Sequence, residues 1–224
     1  MHEILLGLTT TPKSNWREKV EEIKRFNIEK VALFLTGIGK EERKELYDLL
    51  TETNLKSVPH IHLRNDMNEE EINYLISKYN TSLFNIHPQG SKHSFKCNFT
   101  NKFDDRIYVE NLDIIPTQNE LDEYAGLCID FSHWEHFGRG SGYAKIDEIL
   151  KNNKIGCCHV SAVRNFMWGF FPVSFHYAKG NKDFNYLKKY ARYLPEFISL
   201  ELENSFEEQL KFKKYIEENI LGIK

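Results

Sequence analysis

Residues 57–87, SVPHIHLRNDMNEEEINYLISKYNTSLFNIH, carry the pattern from which the fold is read. Ser57–Leu63 is a short apolar run of the kind that forms a buried strand. The stretch NEEEINYLISKY (68–79) then repeats apolar positions at helical spacing, and Asn68 stands where a helix N-cap belongs. Leu83–His87 returns to the strand pattern. Strand, helix and strand in succession imply two parallel strands joined by a crossover helix.

The same rhythm extends in both directions. Strand candidates are Glu3–Leu8, Lys30–Leu35, Arg106–Leu112, Leu127–Phe131, Ile155–Val160 and Phe197–Glu203. Helical stretches are NWREKVEEIKRF (15–26), KEERKELYDLL (40–50), KIDEILKNN (145–153), DFNYLKKYARYL (183–194) and FEEQLKFKKYIEENI (206–220). Asn15 and Asp183 are further N-cap candidates, and Phe206, Leu210, Lys213 and Ile216–Ile220 form the stripe of the last helix. Such units close as a single compact (β/α)8 TIM barrel of the α/β class, one domain over residues 1–224. Residues 89–105 contain no clear helical pattern, so the fourth helix is expected to be short or lost.

Composition narrows the partners. The chain has 224 residues, 41% hydrophobic and 28% charged, enough apolar content for a sizeable core. Thirty Lys and Arg against 33 Asp and Glu give a net charge of −3, which argues against a whole-surface nucleic-acid binder. The sequence has no apolar run long enough to span a membrane, and MHEILLGLTT does not read as a secretory signal. Cys97, Cys128, Cys157 and Cys158 show no CxxC spacing, so a reducing, cytoplasmic setting is expected. A homo-oligomer stays open.

In a barrel of this type the reactive groups gather at the C-terminal ends of the strands. Here those ends carry His60 and His62 (PHIHLR), His87 (NIHPQG), Glu110 (YVENLD), Asp130 and His133 (CIDFSHWEH) and His159 with Arg164 (CCHVSAVR). His176 follows, then Glu201 and Glu203 (SLELEN). A single strand-end histidine is usually structural. Consecutive strands ending in His, Asp or Glu are another matter, because crowded carboxylates repel unless a cation or protons neutralise them. A mixed nitrogen and oxygen donor set suits Zn, Mn, Co or Fe.

This constellation, and above all the D-x-x-H of Asp130 and His133 following Glu110, resembles the xylose-isomerase-like TIM-barrel superfamily. That superfamily holds sugar-phosphate isomerases and epimerases together with AP endonucleases of the endonuclease IV type. The isomerase branch implies one metal on Glu110, Asp130, His159 and Glu201, with Glu203 an alternative to Glu201 because it has the same strand parity. It further implies proton transfer by Glu110 or Glu201, and sugar contacts from His133 and Arg164. The endonuclease branch implies several zinc ions spread over His62, His87, Glu110, Asp130, His133, His159, His176 and Glu201. Its pattern has an Asp where this sequence has Ser174.

Two reactions are therefore expected. The favoured one is metal-assisted isomerisation or epimerisation of a sugar or sugar phosphate through an enediolate, with His62, His87, His133, Arg164, His176 and Trp168 around the substrate. The alternative is metal-dependent cleavage of an abasic-site phosphodiester in DNA, and a non-catalytic binding protein is a third reading. The aromatic run RNFMWGFFPVSFHY (164–177) reads as a connection in which Trp168, Phe170 and Phe171 wall the pocket, with Trp134 and His136 beside it. Lys92, His93 and Arg139 are phosphate-binding candidates; the glycines of FGRGSGY (137–143) read as a flexible loop rather than a phosphate cradle.

Overall fold

The computed structural model describes residues 2–92, 102–137, 146–166 and 171–223. Each of the eight apolar runs forms a parallel strand: β1 (Glu3–Thr9), β2 (Lys30–Phe34), β3 (Ser57–His62), β4 (Leu83–Ile86), β5 (Ile107–Glu110), β6 (Gly126–Asp130) and β7 (Ile155–Val160). The eighth is β10 (Phe197–Leu200), after a two-stranded ribbon, β8 (Ala162–Phe166) and β9 (Phe171–Phe175). Strands β1 to β7 and β10 close as a barrel in which β10 lies between β7 and β1. Neighbours in sequence are thus neighbours in space all the way round, the arrangement of a (β/α)8 barrel.

The helices are α1 (Trp16–Arg25), α2 (Lys40–Thr51), α3 (Glu69–Tyr79), α4 (Gln118–Glu123), α5 (Phe131–Phe137), α6 (Ile146–Asn152) and α7 (Phe206–Asn219). Asn15 and Asn68 cap α1 and α3 by accepting the backbone N–H groups of Glu18 and Glu71. Thr117 and Ser205 open α4 and α7 with reciprocal capping boxes. Between β4 and β5 the described residues form only a 3-10 turn, Asp104–Arg106, in keeping with a lost fourth helix.

Three expectations need correction. Residues 181–193 form 3-10 turns instead of an α-helix, and Gly180 precedes them. Asp183 lies inside that run and accepts the N–H of Lys179 rather than capping. In α7 the buried stripe is Phe206, Gln209, Phe212 and Ile216, whereas Leu210 is exposed. Gln209 is buried because the barrel needs it. β1 pairs with β10 only as far as Leu5–Ser199, and beyond that the Gln209 amide takes over, accepting from Gly7 N and donating to Gly7 O. A Cβ on Gly7 would lie 1.7 Å from the Leu200 carbonyl oxygen, so no other residue fits this seam.

The apolar layer between strands and helices is continuous, from Ile4 and Val20 through Leu46, Leu75, Val109 and Ile129 to Phe206. Among the described residues no helix is long and apolar enough to cross a membrane.

Candidate metal centre

Glu110 ends β5, Asp130 ends β6, His159 is the penultimate residue of β7, and Glu201 follows β10 directly. The register sets Asp130 beside His159, and barrel curvature brings the other two across. All four are buried, and each offers a ligand atom within 4.8 Å of the other three. Glu201, not Glu203, takes the strand-eight place: Glu203 instead accepts a hydrogen bond from Thr11 Oγ1 at 2.6 Å.

Local folding aims these groups. Helix α5 begins immediately after Asp130, and Asp130 Oδ1 accepts from Ser132 N (2.7 Å), Ser132 Oγ (2.6 Å) and His133 N (2.9 Å). The D-x-x-H spacing is thus a strand-to-helix turn that uses up one carboxylate oxygen. The other, Oδ2, is buried and makes no hydrogen bond. Both ring nitrogens of His159 are likewise buried without a hydrogen-bond partner, although Nδ1 lies 3.3 Å from Glu110 Oε1 and 3.4 Å from Glu201 Oε2. Buried polar atoms are rarely left unmatched. Three of them inside one set of carboxylates and an imidazole form a buried group that can hold a metal ion.

The charges reinforce one another. Burial pushes the Glu110 carboxyl up, but His159, His62 and His87 outweigh it and hold Glu110 well below the usual carboxylate range. Burial also opposes ionisation of Glu201, yet His176 and His159 bring it down to about 2. Burial disfavours a charged His159, and Glu110 and Glu201 more than offset this, so its pKa is raised far above the ordinary imidazole value. His133 is raised in the same way by Asp130, Glu110 and Glu201 against burial.

A second group shares Glu110. His62, His87 and Glu110 also offer ligand atoms within 4.8 Å of one another. His62 Nδ1 donates to the Leu63 carbonyl oxygen at 2.9 Å, which leaves Nε2 as the lone-pair nitrogen. That Nε2 lies 3.0 Å from His87 Nε2 and 3.4 Å from Glu110 Oε2. Glu110 therefore faces one group with each oxygen.

Above both groups opens a cavity of about 510 Å³ lined by His62, His87, Glu110, His133, His176 and Glu201, with Lys92, Asp113, His136 and Ser174 also in its wall. His133 Nδ1 is 3.4 Å from Asp130 Oδ2, and His176 Nδ1 is 3.7 Å from Glu201 Oε1. Ser174 exchanges a hydrogen bond with Ser132 Oγ at 2.8 Å.

Two sequence expectations do not meet at this cavity. Arg164 sits on β8 and turns away: its guanidinium donates to the Tyr177 carbonyl, pairs with Asp183 at 3.5 Å and lies 3.9 Å over the Phe175 ring. The stretch read as an aromatic connection is the β8–β9 ribbon, and alternation along it puts Arg164 on the face opposite Ser174. Trp134 is buried against Tyr190 instead of lining the cavity, and Phe171 is exposed. Trp168, Phe170, His93, Cys97, Arg139 and the glycines at 138, 140 and 142 lie outside the described residues. Asn85 and Ser132, which bond directly to Glu110 and Asp130, were not singled out in the sequence; their signal was position, two residues before His87 and two after Asp130.

No protein-family model matches the chain, and a search of curated proteins finds no match.

Proposed function

We propose that this barrel is a divalent-metal-dependent phosphodiester hydrolase working with two cations that share Glu110. One observation carries the reading: Glu110 offers Oε1 to the Asp130, His159 and Glu201 group and Oε2 to His62 and His87. A one-metal isomerase does not need the second group as metal ligands, and the arginine it would employ on its substrate, Arg164, is engaged elsewhere. Zinc, manganese, cobalt or iron suits the mixed imidazole and carboxylate donors. Cations bound there would stabilise charge on phosphoryl oxygens and acidify a water molecule.

The chain's own residues supply the rest. Glu110, Asp130, His159 and Glu201 would hold one cation, and His62 and His87, sharing Glu110, the other. His133 and His176, at the cavity wall, donate hydrogen bonds to non-bridging phosphate oxygens. Lys92, also in the wall, adds positive charge for an anionic substrate. The resemblance to the endonuclease IV type supplies the first substrate to try, a duplex containing an abasic site.

A second reading, sugar or sugar-phosphate isomerisation, draws on the completeness of the buried four-residue group, which needs no help from His62 and His87. Metal analysis and two assays separate them. Two metals per chain and cleavage of the abasic duplex or of bis(p-nitrophenyl) phosphate are expected. One metal, with deuterium entering an aldose or ketose in D2O and no ester cleaved, would overturn the hydrolase reading in favour of the isomerase.

A further inference from the structure

Beneath the metal centre the barrel interior holds a polar chain that neither reaction requires. Ser199 Oγ on β10 lies 2.7 Å from His60 Nδ1 on β3. His60 Nε2 lies 3.0 Å from Asn85 Oδ1 on β4. Asn85 Nδ2 donates to Glu110 Oε2 on β5 at 2.7 Å. His60, Asn85 and Ser199 are fully buried.

The hydrogen positions follow from the partners. A carboxylate only accepts, so the amide nitrogen of Asn85 must face Glu110 and its oxygen must face His60. His60 Nε2 therefore carries a proton and donates it. The Ser199 hydroxyl makes no other hydrogen bond among the described residues, so its proton goes to His60 Nδ1. The three hydrogen bonds then run in a single direction, from Ser199 through His60 and Asn85 to Glu110.

We propose that Ser199, His60 and Asn85 are positioning residues that hold the Glu110 carboxylate in the orientation in which it bridges two cations. The proposal rests on the two-metal reading for what Glu110 bridges, but the chain itself is independent of the metal count. The Asn85 hydrogen bond holds Oε2 on the side of His62, and Oε1 stays directed at the His159 group. Three strands are thereby tied to the ligand carried by a fourth.

The test uses the full-length protein, with zinc as the probe. Nitrogen-15 NMR of the imidazoles should show His60 protonated on Nε2 only. His60→Leu and Asn85→Leu should weaken zinc binding about 10–100-fold, the usual effect of losing an outer partner of a ligand. His60→Gln, whose amide can donate to Asn85, should restore most of it, and circular dichroism should show all three variants folded. His60 found protonated on Nδ1, or His60→Leu binding zinc as tightly as the unaltered protein, would overturn the proposal. If the unaltered protein binds a single zinc, the two-metal reading fails, while the His60 tautomer and the leucine-to-glutamine difference still judge the chain.

Discussion

His159 Nδ1 stands 3.3 Å from Glu110 Oε1, and the two do not form a hydrogen bond. The contact is an electrostatic one between an imidazole and a carboxylate. Without metal, the imidazole is held charged by Glu110 and Glu201. Its folded pKa is raised above the ordinary 6.5, as is that of His133, so their contribution to stability is complete below about pH 6.5 and is lost as pH rises through the folded values. The chelated protein should therefore melt at a lower temperature at pH 9 than at pH 6. Zinc takes the place of the proton, so loaded protein should lose this dependence and release protons on loading. Melting curves with and without chelator, and calorimetry in buffers of different ionisation enthalpy, check both.

The two cation groups are unequal. One has three carboxylates and an imidazole; the other has two imidazoles and a share of Glu110, whose Oε2 already accepts from Asn85. The first equivalent of cobalt should enter the four-residue group and the second the histidine pair. His87→Ala should remove only the weaker step, and Asp130→Asn the stronger. Glu110→Gln should weaken both, because its amide cannot accept from Asn85 and ligate beside His159 at once. Loss of the stronger step in His87→Ala would contradict this order.

Arg43 offers a test of stability remote from the site. Its guanidinium is fully buried between α2 and α3, bidentate to Glu71 at 2.7 and 3.0 Å and within 2.9 Å of Asp66. Tyr47 Oη also donates to Glu71. Arg43→Met leaves Glu71 without its cation, and breaking a buried pair costs about 3–5 kcal/mol. Because Asp66 is half exposed, the lower end is expected in urea unfolding, with metal binding unchanged.

Gly7→Ala should be worse than an ordinary glycine substitution. Its Cβ would overlap the Leu200 carbonyl at 1.7 Å, and Leu200 precedes the ligand Glu201. Strand β10 must shift, so loss of at least about 3 kcal/mol and weaker zinc binding should appear together. Unchanged zinc affinity in a folded Gly7→Ala protein would show that the seam and the site are uncoupled.

The barrel was legible because its strands are short, mostly apolar runs and α1, α2, α3, α6 and α7 lie in stretches with a helical pattern, so their alternation survived reading one residue at a time. Helices α4 and α5, of six and seven residues, are too short to show a period. That His, Asp and Glu side chains converge was legible for the same reason, because the fold brings strand ends together; the choice of Glu110, Asp130, His159 and Glu201 among them came from the resemblance. Arg164 was not legible, because its placement depends on pairing across the β8–β9 ribbon, where it lies opposite Val173, nine residues on. The 3-10 turns of residues 181–193 escaped because their apolar spacing also fits an α-helix. Asn85 and Ser199 read as ordinary strand residues; only the assembled interior gives them partners on other strands.

The ribbon also bears on how such a protein changes over time. Val163 faces the same side as Ser174, and Arg164 the same side as Val173. Removing one residue from β8 upstream of its paired stretch, with β9 left in place, would invert the outward and inward sets of that strand in a single step. A guanidinium would then point where Val163 does now, on the side of the ribbon shared with Ser174, which lines the cavity. The wall of this cavity is thus one indel away from a different electrostatic character, while Glu110, Asp130, His159 and Glu201 stay untouched.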